Sequence, residues 1–354
     1  MLTGIRVVYE DDGHRENLAR HMTLDSMGSC LQKSTEEAVF NMNRHTSKIH
    51  PMAADHPELI SVVVATYNQA KYLPITLDSI WFQNYPNIEI IVVNDGSTDY
   101  TSEVLSDYLQ AVDREEVSFA SNYKEESVQV ERTWHPRYQR QGRTFVLLEH
   151  ESNQGLSAAL NTGFVRAKGR LCTFVASDDM LLPTMLSDLK HAMKKTAADF
   201  AYADMHIVDD HGRILRRFSL PDYSFEQAFC HWYLCGVCKL YRRDLHETVG
   251  YYNEKIKPQD HEMFLRFAMH GARFVHVPKV LANVRTHDEG ERRIHNHSEA
   301  NWDQLFKESS ELVLKARHFG GNTSNDGPND KRCPSPIPSC AGADLGDSSP
   351  QRPL

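Results

Sequence analysis

The chain has 354 residues, of which 40% are hydrophobic and 25% charged, and its formal net charge is −9 at pH 7. This length suits one large domain or two modest ones, and the composition is ordinary for a soluble globular protein. The negative charge gives no sign of nucleic-acid binding, no apolar run reaches the roughly 18 residues of a transmembrane helix, and the first residues lack the apolar core of a signal peptide.

The seven cysteines are scattered along the chain. Cys235 and Cys238 have the C-x-x-C spacing of a zinc or redox pair, but no second pair follows and the surrounding residues are apolar. We therefore expect both thiols to pack in the core, and we expect the reduced cysteines of a cytoplasmic protein.

Residues 1–57 are polar and show no sustained periodicity, which predicts a poorly structured N-terminal extension. Within them, the patch Ile5–Tyr9 has the composition of a strand, although the sequence indicates no partner for it.

Strands and helices alternate from residue 58 onward. Leu59–Ala65 is typical of a buried strand, and the apolar spacing from Leu73 to Trp81 predicts a helix after it. Ile88–Val93 predicts a second strand, and a helix through Val104 and Tyr108 follows it. This order favours a parallel sheet with right-handed crossovers.

The charged segment 113–143 interrupts the alternation and carries basic residues between aromatic ones around Trp134. A solvated surface insertion is the favoured interpretation, and contact with a lipid surface or an anionic partner is the alternative. The strand Phe145–Leu148 and a helix after Gly155 then resume the pattern.

The second half of the chain is predicted to contain further strands and helices. Asp209–Gly212 has the composition of a hairpin turn, and a helix is expected from Gln259 to His270. A C-terminal helix is predicted over residues 293–318. Residues 319–354, rich in Gly, Asn, Ser, Pro and Asp, are expected to be disordered.

Polar residues stand where three of the predicted parallel strands end. These residues are Thr66, Tyr67 and Asn68 after the first strand, Asp95 after the second, and Ser177, Asp178 and Asp179 after the strand Leu171–Val175. Side chains at the carboxyl ends of parallel strands converge on one crevice. Adjacent carboxylates in such a crevice suit a hard divalent cation, Mg²⁺ or Mn²⁺, that also binds substrate phosphates. The alternatives are a helix cap for Ser177 or Asp178 and an Asx turn for Asp95.

No glycine-rich phosphate loop, neither G-x-G-x-x-G after the first strand nor G-x-x-x-x-G-K-[ST], is present in the sequence. The dinucleotide and P-loop interpretations therefore lose the backbone cradle on which they depend. The charge of a bound phosphate would have to be met by a metal ion instead.

Further candidates lie downstream. Asp260 stands at the start of a predicted helix, where it could cap the helix or serve as general base for an acceptor hydroxyl. His261 and Glu262 are weaker candidates for that role. Arg285 and His287 follow the last predicted strand and could neutralise a diphosphate or complete a metal shell, unless they lie at a solvated strand end.

Five stretches, taken in order, resemble the family 2 glycosyltransferases of the GT-A fold. They are Ser61–Asn68, Val92–Asp99, Asn153–Ala159, Ser177–Asp179, and Gln259–Asp260 with Leu265–Arg266. Each is a weak motif alone, but five in sequence are highly specific. The resemblance implies an α/β fold, in which a mostly parallel sheet has helices on both faces. It covers a domain of residues 58–292, with a Rossmann-like nucleotide-sugar half (58–180) and an acceptor half (181–292).

The resemblance also implies an activity. A sugar would move from a nucleotide-diphosphate sugar, most often a UDP sugar, to an acceptor hydroxyl with inversion and with the help of Mg²⁺ or Mn²⁺. The acceptor would be a glycan, a lipid-linked molecule or a protein, as in cell-surface polysaccharide biosynthesis. The corresponding location is the cytoplasm, with peripheral association at the inner face of a membrane as an option.

By the same likeness, individual residues receive roles. The nucleotide-sugar site would contain Thr66, Tyr67, Asn68, Asp95, Ser177 and Asp178. Asp179 would hold the metal ion and Asp260 would be the catalytic base. Glu262, Arg266, Arg285 and His287 are additional site candidates.

The sequence departs from the family pattern at two places. The family often has an acidic residue where this chain has Ala176, and a glutamate where it has Gln259. These departures keep a non-catalytic sugar-nucleotide binding module open as the alternative. A processive polysaccharide synthase would require membrane helices and a Q-x-x-R-W motif, and neither is found in the sequence.

Overall fold

A computed structural model describes residues 5–10, 57–124, 129–231, 238–287 and 299–323. Its strands are β1 Ile5–Glu10, β2 Ile60–Thr66, β3 Ile88–Asn94, β4 Glu116–Lys124, β5 Gln129–Pro136, β6 Arg143–His150, β7 Leu171–Ala176, β8 Met180–Leu181, β9 Phe200–Val208, β10 Ile214–Phe218, β11 Lys239–Arg242 and β12 Phe274–Arg285. Its helices are α1 Leu73–Trp81, α2 Thr101–Arg114, α3 Leu156–Arg166, α4 Met185–Thr196, α5 Asp244–Val249, α6 Gln259–Met269 and α7 Glu299–Thr323, with a π-helical turn at Glu226–Cys230.

One large sheet runs through the domain in the order β1-β6-β3-β2-β7-β11-β9-β12-β8, and β10 pairs with β9. Strands β6, β3, β2 and β7 pair in parallel, as do β9 and β12, whereas β1, β8, β10 and β11 pair antiparallel with their neighbours. The predicted α/β architecture is confirmed. The longest run of parallel pairing lies in the half that carries the predicted strand-end residues.

Strands β2 and β3 lie inside the sheet, between β6 and β7, and are buried at every position. Continuous burial is typical of parallel strands covered by helices on both faces. Helix α3 lies very close to β2 at Gly163. A Cβ atom added to this residue would lie only 2.4 Å from Val63 Cγ1. Only a residue without a side chain allows this contact.

Helix α1 supports the turn after β7. Pro74 lies in its first turn, where the missing N–H has no helical partner to lose. Thr76, on its buried face, directs Oγ1 at the carbonyl oxygens of Ser177 and Asp179, at 2.9 and 2.8 Å. The position of the two predicted metal-site carboxylates therefore depends on a helix distant in sequence.

Within the segment 113–143, β4 and β5 pair antiparallel as a β-hairpin, although no strand was predicted there. Trp134 on this hairpin is 56% exposed, as expected of a surface insertion. Its base is attached to the domain through Asp78 of α1, which accepts hydrogen bonds from Tyr108, Tyr138 and Arg137 at 3.0, 3.0 and 3.1 Å.

The chain ends differ from the sequence-based expectation. Strand β1 pairs antiparallel with β6, so the patch Ile5–Tyr9 has a partner that the sequence did not reveal. Helix α7 continues through residues 319–323, beyond the end at residue 318 that the sequence predicts for the C-terminal helix. The reason is packing: the ring of Phe319 lies 5.6 Å from that of Phe225. The remaining residues of both predicted extensions lie outside the described part of the chain.

Cys238 is fully buried, and burial raises the pKa of its thiol. This agrees with the predicted core packing. Cys235 lies outside the described residues.

Candidate active site

A cavity of about 260 Å³ opens at the carboxyl ends of β2, β3 and β7. Five of the predicted nucleotide-sugar residues line it, namely Thr66, Tyr67, Asp95, Ser177 and Asp178. Residues around the start of α3, including Gly155 and Leu156, form another wall. Two larger cavities lie elsewhere, one of about 580 Å³ between α2 and β6 and one of about 900 Å³ at the base of the hairpin. None of the predicted site residues directly after β2 or β7 (66–68 and 177–179) lines either of them.

Thr66 and Tyr67 present two kinds of surface to this cavity. Thr66 is 2% exposed, and its buried Oγ1 has no hydrogen-bond partner. Buried hydroxyls normally have one, so this atom is suited to a bound polar group. Tyr67, 39% exposed, and Leu156, 50% exposed, supply apolar surface at the same cavity, which suits a planar ring.

Asp95 is held on several sides. Its two carboxylate oxygens accept hydrogen bonds from the backbone N–H groups of Gln154 and Gly155, at 2.9 and 2.8 Å. His150 Nδ1 lies 2.6 Å from Oδ1, and His150 Nε2 lies 3.0 Å from Thr162 Oγ1. Asp95 therefore fastens the loop before α3 to the end of β3, in addition to lining the cavity.

Asn68 is not among the residues that line the cavity. It has a left-handed backbone, with φ of 53°, and its Oδ1 accepts hydrogen bonds from the backbone N–H groups of Thr98 and Asp99 at 2.8 and 3.2 Å. Its side chain therefore joins the loops that follow β2 and β3.

The adjacent carboxylates of Asp178 and Asp179 have different surroundings. Asp178 lines the cavity, and its Oδ2 lies 2.8 Å from His287 Nε2. Asp179 is 4% exposed and accepts a hydrogen bond from the backbone N–H of Arg285 at 2.9 Å. Burial, and after it the charge of Asp178, raise the pKa of Asp179 to about 8. The predicted metal ligand Asp179 thus lies beneath the site, and its neighbour faces the cavity.

His287 stands between two carboxylates, because its Nδ1 lies 2.8 Å from Asp210 Oδ1. Burial lowers the pKa of His287, but hydrogen bonds to Asp178 and Asp210 outweigh burial and raise it above its ordinary value. An imidazole nitrogen and a carboxylate oxygen that face each other are a donor pair that fits a divalent cation. No set of three or more His, Cys, Asp or Glu among the described residues could hold a metal, so phosphate or water oxygens would have to complete the shell.

The side chain of Arg285 is hydrogen-bonded to the backbone around Asp178 and His287. Its guanidinium donates to the carbonyl oxygens of Asp178, Asp209 and Asp210 at 3.2, 2.9 and 2.9 Å, and it lies 4.7 Å above the ring of Tyr72. It joins the turn after β7, the turn after β9 and the end of β12.

Asp260 lies in the first turn of α6, and its buried Oδ1 has no hydrogen-bond partner. Burial, and after it the charge of Asp260, raise the pKa of Tyr252 well above its ordinary value. The ring of Tyr252 is 6.1 Å from that of Phe174, which lines the cavity. Gln259 accepts a hydrogen bond from Ser157 Oγ at the start of α3. Asp260 is not a lining residue, but it sits on a helix end attached to the cavity wall.

The other candidates on α6 have structural contacts. Glu262 forms an ion pair with Arg266 at 2.8 Å, and Arg266 donates to the carbonyl oxygens of Val249 and Tyr251 at 2.6 and 2.7 Å. His261 is 2% exposed and stacks on Phe229, with ring centroids 6.0 Å apart. None of the three α6 residues lines the cavity.

The sequence profile of glycosyl transferase family 2 matches residues 61–250, more than half of the chain. The chain belongs to this family. It is 30% identical over 170 residues to glycosyltransferase GlyA of Streptococcus pneumoniae, which covers 48% of this chain and 20% of GlyA. It is 26% identical over 296 residues to the hyaluronan synthase of Pasteurella multocida, with 81% of this chain and 26% of the synthase covered. The chain thus spans less than two thirds of the length of these curated relatives.

Among solved structures, residues 1–349 of S. aureus TarS in complex with UDP-GlcNAc are similar at a TM-score of 0.52 and 20% identity, with 73% of this chain and 66% of that TarS chain covered. At this identity the likeness concerns the fold alone. The predicted GT-A-type fold and the predicted membership in family 2 are both confirmed. No helix of this family 2 chain, within the described residues, combines the length and apolar character needed to cross a membrane.

Three residues around this cavity were missed by sequence reasoning. His150 ends β6, so the rule applied to the ends of β2, β3 and β7 would have found it. Asp210 was read as part of a hairpin turn, and Tyr72 precedes α1 with no pattern that marks it. Only their three-dimensional contacts with His287 show that Asp210 and Tyr72 belong here.

Proposed function

We propose that this glycosyltransferase moves a sugar from a nucleotide-diphosphate sugar, with UDP as the favoured nucleotide, to an acceptor hydroxyl with inversion. The observation that carries the proposal is the cavity in which Thr66, Tyr67, Asp95 and Asp178 meet at the carboxyl ends of three parallel strands. The complex of TarS with UDP-GlcNAc supports the choice of nucleotide. We assign residues 58–180 to donor binding and residues 181–292 to acceptor binding.

The donor-binding residues divide the nucleotide between them. Thr66 Oγ1 supplies a hydrogen bond from a buried position, and Tyr67 covers a planar base together with Leu156. Each oxygen of a carboxylate has two lone pairs, so Asp95 Oδ2 can accept a base N–H as well as the N–H of Gly155.

Asp178 and His287 are the residues we assign to a divalent cation, Mn²⁺ or Mg²⁺. This assignment replaces Asp179, because Asp179 is buried and bonded to the backbone of β12, whereas Asp178 faces the cavity. The bound ion would offset negative charge on the diphosphate. Arg285 already donates to three carbonyl oxygens, so we assign it to holding the loops and not to binding the diphosphate.

Asp260 is the base in this proposal. Its partnerless Oδ1 accepts the proton of the acceptor hydroxyl while that oxygen attacks the anomeric carbon. The attack comes from the face opposite the leaving diphosphate, which gives inversion in a single displacement. A carboxylate suffices, because the proton leaves late, when bond formation has made the hydroxyl acidic.

The test is a panel of UDP-, GDP- and dTDP-sugars, measured with and without Mn²⁺. Thermal shift reports donor binding, and release of the nucleoside diphosphate reports transfer or slow hydrolysis. We expect a UDP-sugar to stabilise the wild type and to be hydrolysed, and Asp260→Asn to bind it without hydrolysis. Binding without hydrolysis in the wild type, unchanged by Asp260→Asn, would favour the non-catalytic binding module that Ala176 and Gln259 leave open.

A further inference from the structure

The turn between β9 and β10 contains two adjacent aspartates with different contacts. Asp209 folds back on the turn, where its Oδ1 accepts hydrogen bonds from the backbone N–H groups of His211 and Arg213 at 2.9 and 2.8 Å. Such contacts are those of an ordinary Asx turn. Asp210 does not share them: its side chain, 15% exposed, extends to His287, a residue 77 positions away.

Side chains from two separate segments, Tyr72 and His287, contact Asp210. Its Oδ1 accepts a hydrogen bond from the Tyr72 hydroxyl at 2.9 Å and lies 2.8 Å from His287 Nδ1. The far nitrogen of the same ring, Nε2, lies 2.8 Å from Asp178 Oδ2 at the cavity. The Tyr72 and His287 rings also touch, with centroids 5.2 Å apart.

The backbone around Asp210 is fixed relative to His287. Arg285, two residues before His287, donates to the carbonyl oxygens of Asp209 and Asp210 at 2.9 Å each. Arg285 thus ties the backbone of the β9–β10 turn to the strand end that carries His287.

An ionised carboxylate only accepts hydrogen bonds, so the imidazole nitrogen that faces Asp210 must carry the hydrogen. Nε2 faces Asp178 Oδ2 at the same distance, so without a cation the ring can donate to both carboxylates. A cation that binds beside Asp178 would take the place of the hydrogen on Nε2, which is released as a proton, and the hydrogen on Nδ1 stays with Asp210. Metal-binding histidines commonly donate their second N–H to a carboxylate in this way, which fixes both the tautomer and the ring orientation.

We infer that Asp210, with the Tyr72 hydroxyl, is a positioning residue that holds His287 so that His287 Nε2 and Asp178 Oδ2 together receive the divalent cation. The inference rests on the proposed function for the presence of that cation. It goes further because it gives the β9–β10 turn a role: Asp210 in this turn controls the affinity of the site for the cation. From the sequence, the turn looks like a plain connection.

The first measurement is the affinity of the full chain for Mn²⁺ alone, from the electron paramagnetic resonance signal of free Mn²⁺. Asp210→Ala should weaken binding about 10- to 100-fold, the usual effect of removing such a partner. Tyr72→Phe should weaken it less, because Asp210 remains. The matched control is Asp209→Ala, which removes the same charge one residue away and should leave the affinity near that of the wild type.

The second measurement is a double-mutant cycle with His287→Ala. If Asp210 acts through His287, the double variant should bind Mn²⁺ no more weakly than His287→Ala alone. An Asp210→Ala loss of the same factor in both backgrounds would overturn the inference, as would an equal loss in Asp209→Ala.

The third measurement is the nitrogen-15 spectrum of the histidine side chains, with the His287 signals identified by their absence in His287→Ala. With Mg²⁺ present, we expect the hydrogen of His287 on Nδ1 in the wild type and a loss of that preference in Asp210→Ala or, should that variant unfold, in Asp210→Asn. A wild type that hydrolyses a sugar nucleotide while Asp210→Ala binds Mn²⁺ normally would refute the positioning role alone. A wild type that binds no sugar nucleotide would refute the proposed function instead.

Discussion

The two parts of the domain on either side of β7 treat their buried polar groups differently. In the described side chains of the donor half, residues 57–118 and 132–180, the one buried side-chain atom that lacks a hydrogen-bond partner is Thr66 Oγ1, at the cavity. In the described residues beyond 180, such atoms occur on His246, Tyr252, Asp260, His261, Asn283 and Ser309. The donor half is hydrogen-bonded internally in advance, whereas the second half keeps polar atoms without partners.

This difference matches the different tasks proposed for the two halves, donor binding in the first and proton transfer in the second. A site whose donors and acceptors are fixed before the ligand arrives loses little conformational freedom when it binds. Asp95 illustrates this, since three partners hold its carboxylate. A proton acceptor needs an open lone pair instead, and Asp260 Oδ1 has one.

The largest expected effect tests the chemical side of the comparison. Asp260→Asn should lower kcat about 10²- to 10⁴-fold, the usual contribution of a general base, while donor affinity stays near that of the wild type. Steady-state kinetics with the donor identified by the panel measures both quantities.

Glu262→Gln is the matched control, because it changes the other carboxylate in the same helical turn. Glu262 is bonded to Arg266, so this change should lower the midpoint of thermal unfolding and leave kcat within a few-fold. Equal loss of kcat in the two variants would contradict the assignment of Asp260.

The second effect tests the binding side. Asp95→Ala removes the acceptor for two backbone N–H groups and the partner of buried His150, so it should lower the free energy of unfolding by about 3–5 kcal/mol. Donor binding should be lost with it. Urea denaturation gives the first quantity and calorimetry the second, and Asp260→Asn, measured in parallel, should lose far less stability.

The donor half could be predicted well from sequence because one physical rule covers it. Strands such as β2 and β7 are continuous apolar runs, parallel strands end at one edge, and the polar residues after them therefore meet. Thr66, Asp95 and Asp178 line the cavity as this rule requires. Asn68 shows its limit: a left-handed backbone, which the rule does not consider, turns its side chain to the next loop.

What could not be predicted depends on contacts between distant segments. Which of the adjacent residues Asp178 and Asp179 faces the cavity is decided by the hydroxyl of Thr76 and the backbone N–H of Arg285. The partner of β1 is likewise set by the free edge of β6, and no local pattern in the sequence contains that information.

The third expected effect is a change of the free energy of unfolding with pH, caused by two buried histidines in the second half of the domain. Burial lowers the pKa values of His246 and His261 to about 4, from an ordinary value of 6.5. Between these values the unfolded chain binds protons that the folded chain does not, so stability falls as the pH falls from 6.5 toward 4. At pH 5 each histidine should lower the free energy of unfolding by about 2 kcal/mol relative to pH 7.

Urea denaturation at pH 7 and pH 5 checks this expectation in the wild type and in His246→Phe and His261→Phe. Each substitution should reduce the loss of stability between the two pH values by about 2 kcal/mol. A pH dependence unchanged by both substitutions would mean that the two rings are protonated in the folded chain as readily as in the unfolded one.

The smallest effect compares these two histidines at neutral pH. Both ring nitrogens of His261 lack partners, whereas His246 Nε2 lies 3.2 Å from the Tyr241 hydroxyl. Replacing the His261 ring by a phenyl ring of similar shape removes two buried polar atoms without a partner, so His261→Phe should raise the free energy of unfolding by about 1 kcal/mol. His246→Phe should gain less, because it leaves the Tyr241 hydroxyl without that contact. The same variant tests the weaker sequence-based role of His261: if the ring only packs against Phe229, His261→Phe should keep kcat near the wild-type value while the protein becomes more stable.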